Sequence, residues 1–330
     1  MKPLTHQRGH GGNLDAAIQR YGHGSGADNW IDLSTGINRI PWPVAKLPSR
    51  AWTDLPTHTD KARLLAAARH AYNTSAPGLA LAGAQSAIQL VPKLRNTGIA
   101  RILGPTYNEH AAQLMAGGWQ VEVVESIAAL EGADLAVIVN PNNPGGEHYT
   151  PEQLVSVKAQ VSTLVVDESF GDAHPELSLA AHADQEGLFV LRSFGKFYGL
   201  AGLRLGFLFA DAKTIASATE MGGPWPVSGI AIEIGSRALS DDAWKKSMIE
   251  TLRKDAARLD VLAGQCGWRL TGGTELFRTY ATSNAADVQN TLAKSQIWTR
   301  IFPWSTELVR VGLPGNETEW ARLTSALHDT

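Results

Sequence analysis

Leu188-Phe189-Val190-Leu191-Arg192-Ser193-Phe194-Gly195-Lys196 is an apolar run leading to a lysine, and Gly199-Leu200-Ala201-Gly202-Leu203-Arg204-Leu205-Gly206-Phe207 leads into a second apolar run that ends at Ala210. The pattern predicts a strand, a short turn holding Lys196, and another strand. A lysine on a turn between buried strands is partly desolvated. Desolvation disfavours the ammonium, so its pKa falls from about 10.4 and the free amine becomes a nucleophile toward an aldehyde. The hydroxyl of Ser193 and the guanidinium of Arg204 flank the lysine and suit a phosphate. An aldehyde that also carries a phosphate describes pyridoxal phosphate.

Three other segments converge on the same chemistry. Leu164-Val165-Val166-Asp167 is an apolar strand ending in a carboxylate, which can pair with a pyridine nitrogen and keep it protonated. Val137-Ile138-Val139 runs into Asn140-Pro141-Asn142-Asn143-Pro144, where Asn143 can hydrogen-bond a phenolic oxygen. Leu81-Ala82-Gly83-Ala84-Gln85 is a glycine turn opening an apolar helix, whose first N–H groups suit a phosphate.

Carried on these four segments in this order, the chain resembles the fold-type I pyridoxal-phosphate enzymes of the class I/II aminotransferase superfamily over nearly its whole length. The resemblance implies an α/β fold: a large domain with a mostly parallel sheet between helices, and a smaller α+β C-terminal domain. It implies that Lys196 carries the cofactor as a Schiff base, that Asp167 faces the pyridine nitrogen, and that Asn143 faces the phenolic oxygen. Gly83, Ala84, Gln85, Ser193 and Arg204 would hold the cofactor at its phosphate end. Tyr107, in Gly104-Pro105-Thr106-Tyr107, would stack on the ring and join Lys196 and Asp167 among the catalytic groups. Arg310, in Leu308-Val309-Arg310-Val311-Gly312, matches the arginine that grips a substrate carboxylate.

The start of the chain narrows the match. His10-Gly11-Gly12-Asn13 followed by Ile31-Asp32-Leu33-Ser34-Thr35-Gly36-Ile37-Asn38 is similar to the threonine-phosphate decarboxylases of cobalamin biosynthesis. Asp167-Glu168-Ser169-Phe170 and Arg192-Ser193-Phe194-Gly195-Lys196-Phe197 look like the same branch. This branch implies decarboxylation of L-threonine O-3-phosphate to aminopropanol phosphate. His10, Gly11, Gly12, Asn13, Gly36, Ile37, Asn143, Arg300 and Arg310 are then the substrate-side candidates. The alternatives are an aminotransferase of the histidinol-phosphate type, using the same residues, and a non-catalytic binding protein in corrinoid assembly. Intact Lys196, Asp167, Asn143 and Arg204 argue against the last. The chain also departs from the superfamily. Leu55 stands where a tyrosine often reaches the partner subunit's cofactor phosphate, Phe170 replaces a common tyrosine, Gly195 replaces a common serine, and Arg39 replaces a common proline. A homodimer is implied by the resemblance.

Composition bounds the rest. The 330 residues are 44% hydrophobic and 18% charged, with net charge −3, which fits a soluble globular enzyme and lacks the basic footprint of a nucleic-acid binder. The single cysteine, Cys266, fits a reducing cytosol. The ten histidines show no metal-ligand spacing, so no metal is expected. Residues 1–13 are polar and lack the apolar core of a signal peptide, and no apolar run spans a bilayer. We expect an N-terminal arm at 1–40 on the substrate side, a large cofactor domain at 41–224, and a small domain at 225–330. The break at Met221-Gly222-Gly223-Pro224-Trp225-Pro226 marks the last boundary. Alternating strands and helical stretches between 60 and 210 predict the parallel sheet, with the candidate residues at strand ends.

Overall fold

The computed structural model of the chain describes residues 9–22 and 26–328. Parts of the expected arm, 1–8 and 23–25, lie outside them. The chain divides into two compact units, one formed by 1–40 with 251–330 and the other by 41–250. The division falls inside the helix Asp242–Gln265, beyond the Gly222–Pro226 break where the sequence suggested a boundary.

The unit 41–250 is built on a seven-stranded sheet. Its spatial order is Gly78–Leu81, Gly206–Phe209, Leu188–Ser193, Thr163–Asp167, Leu135–Val139, Ile99–Leu103 and Gln120–Val124. The last five run parallel, while Gly206–Phe209 is antiparallel to both of its neighbours. Leu135–Val139 and Thr163–Asp167 are buried at every position, which is why they read as unbroken apolar runs rather than alternating ones. One face of the sheet packs Val137, Val165, Phe189, Leu191 and Leu208 against Ile88, Val91, Leu114 and Trp119. Helices are started by local chemistry. His58–Ala71 begins with a reciprocal Thr57–Asp60 capping box, and Pro151–Lys158 with a Thr150–Gln153 box and a proline in its first turn.

After Ile99–Leu103 the chain adds Gln120–Val124 on one side, then crosses to Leu135–Val139 on the other. The order reverses there, and the segments leaving the two strands carry Tyr107 and Asn143. Open α/β sheets bind ligands at the carboxyl ends of strands flanking such a reversal.

The other unit is α+β. Its antiparallel sheet has the order Arg300–Phe302, Ser305–Gly312, Phe277–Ala281, Arg269–Thr274. Ile31–Asp32 pairs in parallel with Ile297–Trp298. Ala17, Trp30 and Ala293 form a small buried cluster with Leu14, Ile18 and Trp298 against it, so the described residues 14–22 and 26–32 are folded into this unit rather than lying as an extended arm. Arg39 makes a two-pronged ion pair with Glu319, which accounts for a cation at that position. Cys266 is packed, with its Sγ donating to the carbonyls of Leu262 and Leu327. No described helix is long and apolar enough to cross a membrane, and no group of described side chains has a metal-binding arrangement.

Candidate active site

Asp167 ends its strand at the centre of the sheet and is 2% exposed. Its Oδ2 lies 2.8 Å from Nε2 of His110, which is equally buried. Its Oδ1 accepts from the Ser169 N–H at 3.0 Å and from the Ser169 hydroxyl. Burial alone would raise the Asp167 pKa. The hydrogen bond and charge of His110, with the two donors of Ser169, outweigh burial and hold the carboxyl below its ordinary value. An ionised carboxylate is thus fixed at both oxygens at a strand end. Neither His110 nor Ser169 stood out in the sequence.

His110 lies on the helix Glu109–Ala116, and the Tyr107 ring meets its ring edge-on at 6.2 Å. The Tyr107 hydroxyl donates to Gln85 Oε1 at 3.1 Å, and Gln85 Nε2 donates to Glu109 Oε2 at 3.1 Å. Tyr107, Gln85 and Asp167 therefore belong to one connected network. The next strand end is tied to Asp167 as well, through the Asn140 N–H to the Asp167 carbonyl at 2.9 Å. Asn143 follows three residues on.

Lys196 sits on a short helix, Phe194–Phe197, directly after its strand, and not on the open turn expected from its glycines. Its Nζ lies 5.3 Å from the centre of the Phe170 ring. Gly195 has a steric reason. A β-carbon there would fall 2.6 Å from the Ala201 Cα, so the serine common in related sequences does not fit this backbone.

The candidates for a phosphate converge independently. Gly206 is the register partner of both Leu81 and Ser193. A β-carbon on Gly206 would meet the Ala84 nitrogen at 2.3 Å and the Gly83 carbonyl carbon at 2.5 Å. Gly83 has φ +83°, and a β-carbon on it would lie 2.6 Å from Arg204 Nη2. Arg204 itself adopts the left-handed conformation, φ 53°. That conformation costs a non-glycine residue about 1 kcal/mol, and here it accompanies a guanidinium set against the Gly83 turn. Gly83, Ala84, Ser193 and Arg204 are thus brought together from three segments.

Apart from Asn143, the substrate-side candidates lie in the other unit. Arg310 is 5% exposed; it donates to the Ser34 carbonyl and lies 4.9 Å from the Phe277 ring centre. Arg300 is its direct cross-strand partner and donates to the Gly9 carbonyl at 2.6 Å. Burial, and then the neighbouring Arg300 charge, lower the Arg310 pKa to about 9, with Asp32 opposing. It remains charged at neutral pH. Asn13 caps the helix Leu14–Tyr21 by accepting from the Ala16 N–H, a structural task. Gly11 and Gly12 pack on Ser34, whose hydroxyl accepts from the Gly12 N–H at 2.7 Å. Gly36 has φ +62°, and Ile37 follows it. His10 is exposed. Outside these groups, His58 opens its helix and His174 lies 3.1 Å from Glu176.

Residues 94–330 match the family model described as aminotransferase class I and II. The chain belongs to the class I and II aminotransferase family. The family includes lyases as well as transaminases among this chain's relatives. A threonine-phosphate decarboxylase of Sinorhizobium sp is 41% identical over 96% of this chain and 97% of the relative. One of Pseudomonas aeruginosa is 39% identical over 96% of each. Among solved structures, the histidinol-phosphate aminotransferase of Sinorhizobium meliloti, in complex with pyridoxal-5'-phosphate, superposes with TM-score 0.80 over 96% of this chain and 93% of that one at 18% identity. The superposition shows a shared fold.

Proposed function

We propose that this chain is a pyridoxal-phosphate-dependent decarboxylase acting on L-threonine O-3-phosphate, with carbon dioxide and aminopropanol phosphate as products. The observation that carries the reading is 41% identity to a threonine-phosphate decarboxylase over nearly the full length of both chains.

The residues present fit the cofactor. A buried ionised carboxylate at Asp167 suits a protonated ring nitrogen, and the crowded glycines at 83 and 206 leave room only for backbone beside Arg204. When bound, the cofactor supplies an electron sink that stabilises negative charge at the substrate Cα. Asp167, held ionised by His110 and Ser169, keeps the ring nitrogen protonated. Lys196 would anchor the cofactor, and its Nζ, as a free amine, would deliver a proton to the substrate Cα. Positioned proton transfer of this kind is worth roughly 10²–10⁴-fold. Gly83, Ala84, Ser193 and Arg204 bind the cofactor phosphate; Tyr107 and Asn143 orient the ring. Arg310 takes the substrate carboxylate, and Arg300 is the second cation for the substrate phosphate. Support for this pairing is electrostatic: two guanidiniums opposite each other across a strand pair repel, and a ligand with two anionic groups offsets that repulsion.

The test is substrate choice. Pure protein given L-threonine phosphate should release carbon dioxide rapidly, and plain L-threonine should release almost none. Loss of one anchoring group should lower kcat as well as affinity, because remote binding orients the bond that breaks. Conversion of histidinol phosphate with 2-oxoglutarate to glutamate, without carbon dioxide from threonine phosphate, would establish the aminotransferase instead.

We also place the chain in a reducing cytosol, which suits its lone packed Cys266, and as a homodimer. Trp52, Leu55 and Trp225 of the unit 41–250 are more than half exposed, and a second copy would cover such apolar surface. Light scattering at working concentration should give twice the 35.4 kDa chain mass. A catalytically active monomer would end that reading.

A further inference from the structure

Beside Asp167, and on the strand that leads to Lys196, lies a charge cluster that the proposed chemistry does not use. Arg192 Nη1 donates to Glu168 Oε2 at 2.7 Å, and Arg192 Nη2 lies 3.3 Å from Asp172 Oδ1. All three side chains are nearly fully buried. Glu168 also accepts from the Ser178 hydroxyl and the Leu179 N–H, both at 2.6 Å. The guanidinium lies 4.2 Å from the centre of the Tyr72 ring. Lys245, which donates to the Ala71 carbonyl, and Asp242 are further charges nearby.

Such a cluster needs a reason. Burying ions costs solvation, and a well-packed apolar group in their place is often neutral or stabilising. The placement of the partners supplies one. Glu168 and Asp172 bracket Ser169, Phe170 and Gly171. Ser169 is the residue that donates twice to Asp167, and Phe170 is the ring beside the Lys196 Nζ. Gly171 lies beneath the guanidinium, where a β-carbon would meet Arg192 Nη1 at 3.1 Å. One guanidinium thus hydrogen-bonds Glu168 at one end of the turn and ion-pairs with Asp172 at the other, and the turn carries two neighbours of the reactive pair. Arg192 belongs to the strand that leads to Lys196, and Glu168 follows Asp167, so the grip also ties the two strand ends together.

We propose that Arg192 is a positioning residue: by holding Glu168 and Asp172 it fixes the 168–172 turn, and with it Ser169 on Asp167 and Phe170 against Lys196. This rests on the assignment of Lys196 as the cofactor lysine. A lysine at 192 keeps the charge but lacks the planar fork that donates to Glu168 while setting a second nitrogen against Asp172.

The test uses Arg192→Lys and Asp172→Asn as holoenzymes without substrate. The pH titration of the visible band reports the environment of Lys196 and Asp167 directly, and a purely structural role would not move it. We expect the midpoint to shift by about 0.5 unit or more in each variant, as a displaced hydrogen bond or neighbour does. Cofactor should be retained, and kcat on threonine phosphate should fall roughly 10-fold or more, as small misplacements of reacting groups do. Urea unfolding of the apo-proteins reports stability separately. Variants that unfold at lower urea but titrate and turn over like wild type would overturn the proposal. If Arg192→Lys fails to fold, Asp172→Asn alone decides in the same way. A wild-type protein with no reducible visible band would remove the cofactor assignment and this proposal with it; a normal wild-type titration reproduced by the folded variants overturns the proposal alone.

Discussion

Lys196→Ala is expected to abolish turnover and to remove the visible band that borohydride bleaches. Lys196 follows a strand buried at every position but its last and sits on a helix of four residues where Gly195 leaves no room for a β-carbon beside the Ala201 backbone. In the proposed mechanism the substitution removes two functions at once. The covalent anchor goes, and so does the proton donor to Cα, whose loss alone is worth roughly 10²–10⁴-fold. The phosphate end is untouched, so the variant should still take up cofactor, detectable by equilibrium dialysis. A reducible band that survives in Lys196→Ala would move the Schiff base to another lysine.

Asp167→Asn should keep the cofactor and lose the rate. Asparagine has nearly the same shape, and its amide oxygen can still accept from Ser169. It gives up the negative charge that keeps the ring nitrogen protonated, and with it the electron sink. Removing one preorganised charge partner from a buried site costs about 10²-fold or more. The expected result is full cofactor content per chain with kcat lowered by that factor. A rate near wild type would show that the ring nitrogen is not the group Asp167 serves.

The sequence made some of this legible and hid the rest for physical reasons. Asp167 was readable because a carboxylate at the end of a strand buried on both faces is costly unless it has work to do. Lys196 was readable for the same reason, although its glycine-rich neighbourhood read as a turn and folds as a helix. His110 was not. A lone histidine on a helix carries no signature, and its pairing with Asp167 depends on how that helix lies over the sheet. The antiparallel direction of Gly206–Phe209 was also hidden, because a strand buried on both faces shows no alternation that would distinguish its orientation. Asn13 matched a substrate motif by resemblance, yet in the structure its side chain caps a helix. The Glu168–Arg192–Asp172 grip joins two segments through an arginine that, in sequence, only interrupts an apolar run.

The antiparallel strand has a consequence for how the protein is made. Gly206–Phe209 lies between Gly78–Leu81 and Leu188–Ser193, so within the sheet the strand leading to the Gly83 turn and the strand ending at Ser193 are joined through it. During synthesis the first strand of the sheet emerges well before its only partner in that sheet. The two halves of the phosphate end stay apart until residues beyond 206 have left the ribosome, and their pairing spans a long stretch of chain, which is slow to close. A cofactor phosphate held by both halves would therefore bind the finished sheet and stabilise the folded chain by mass action.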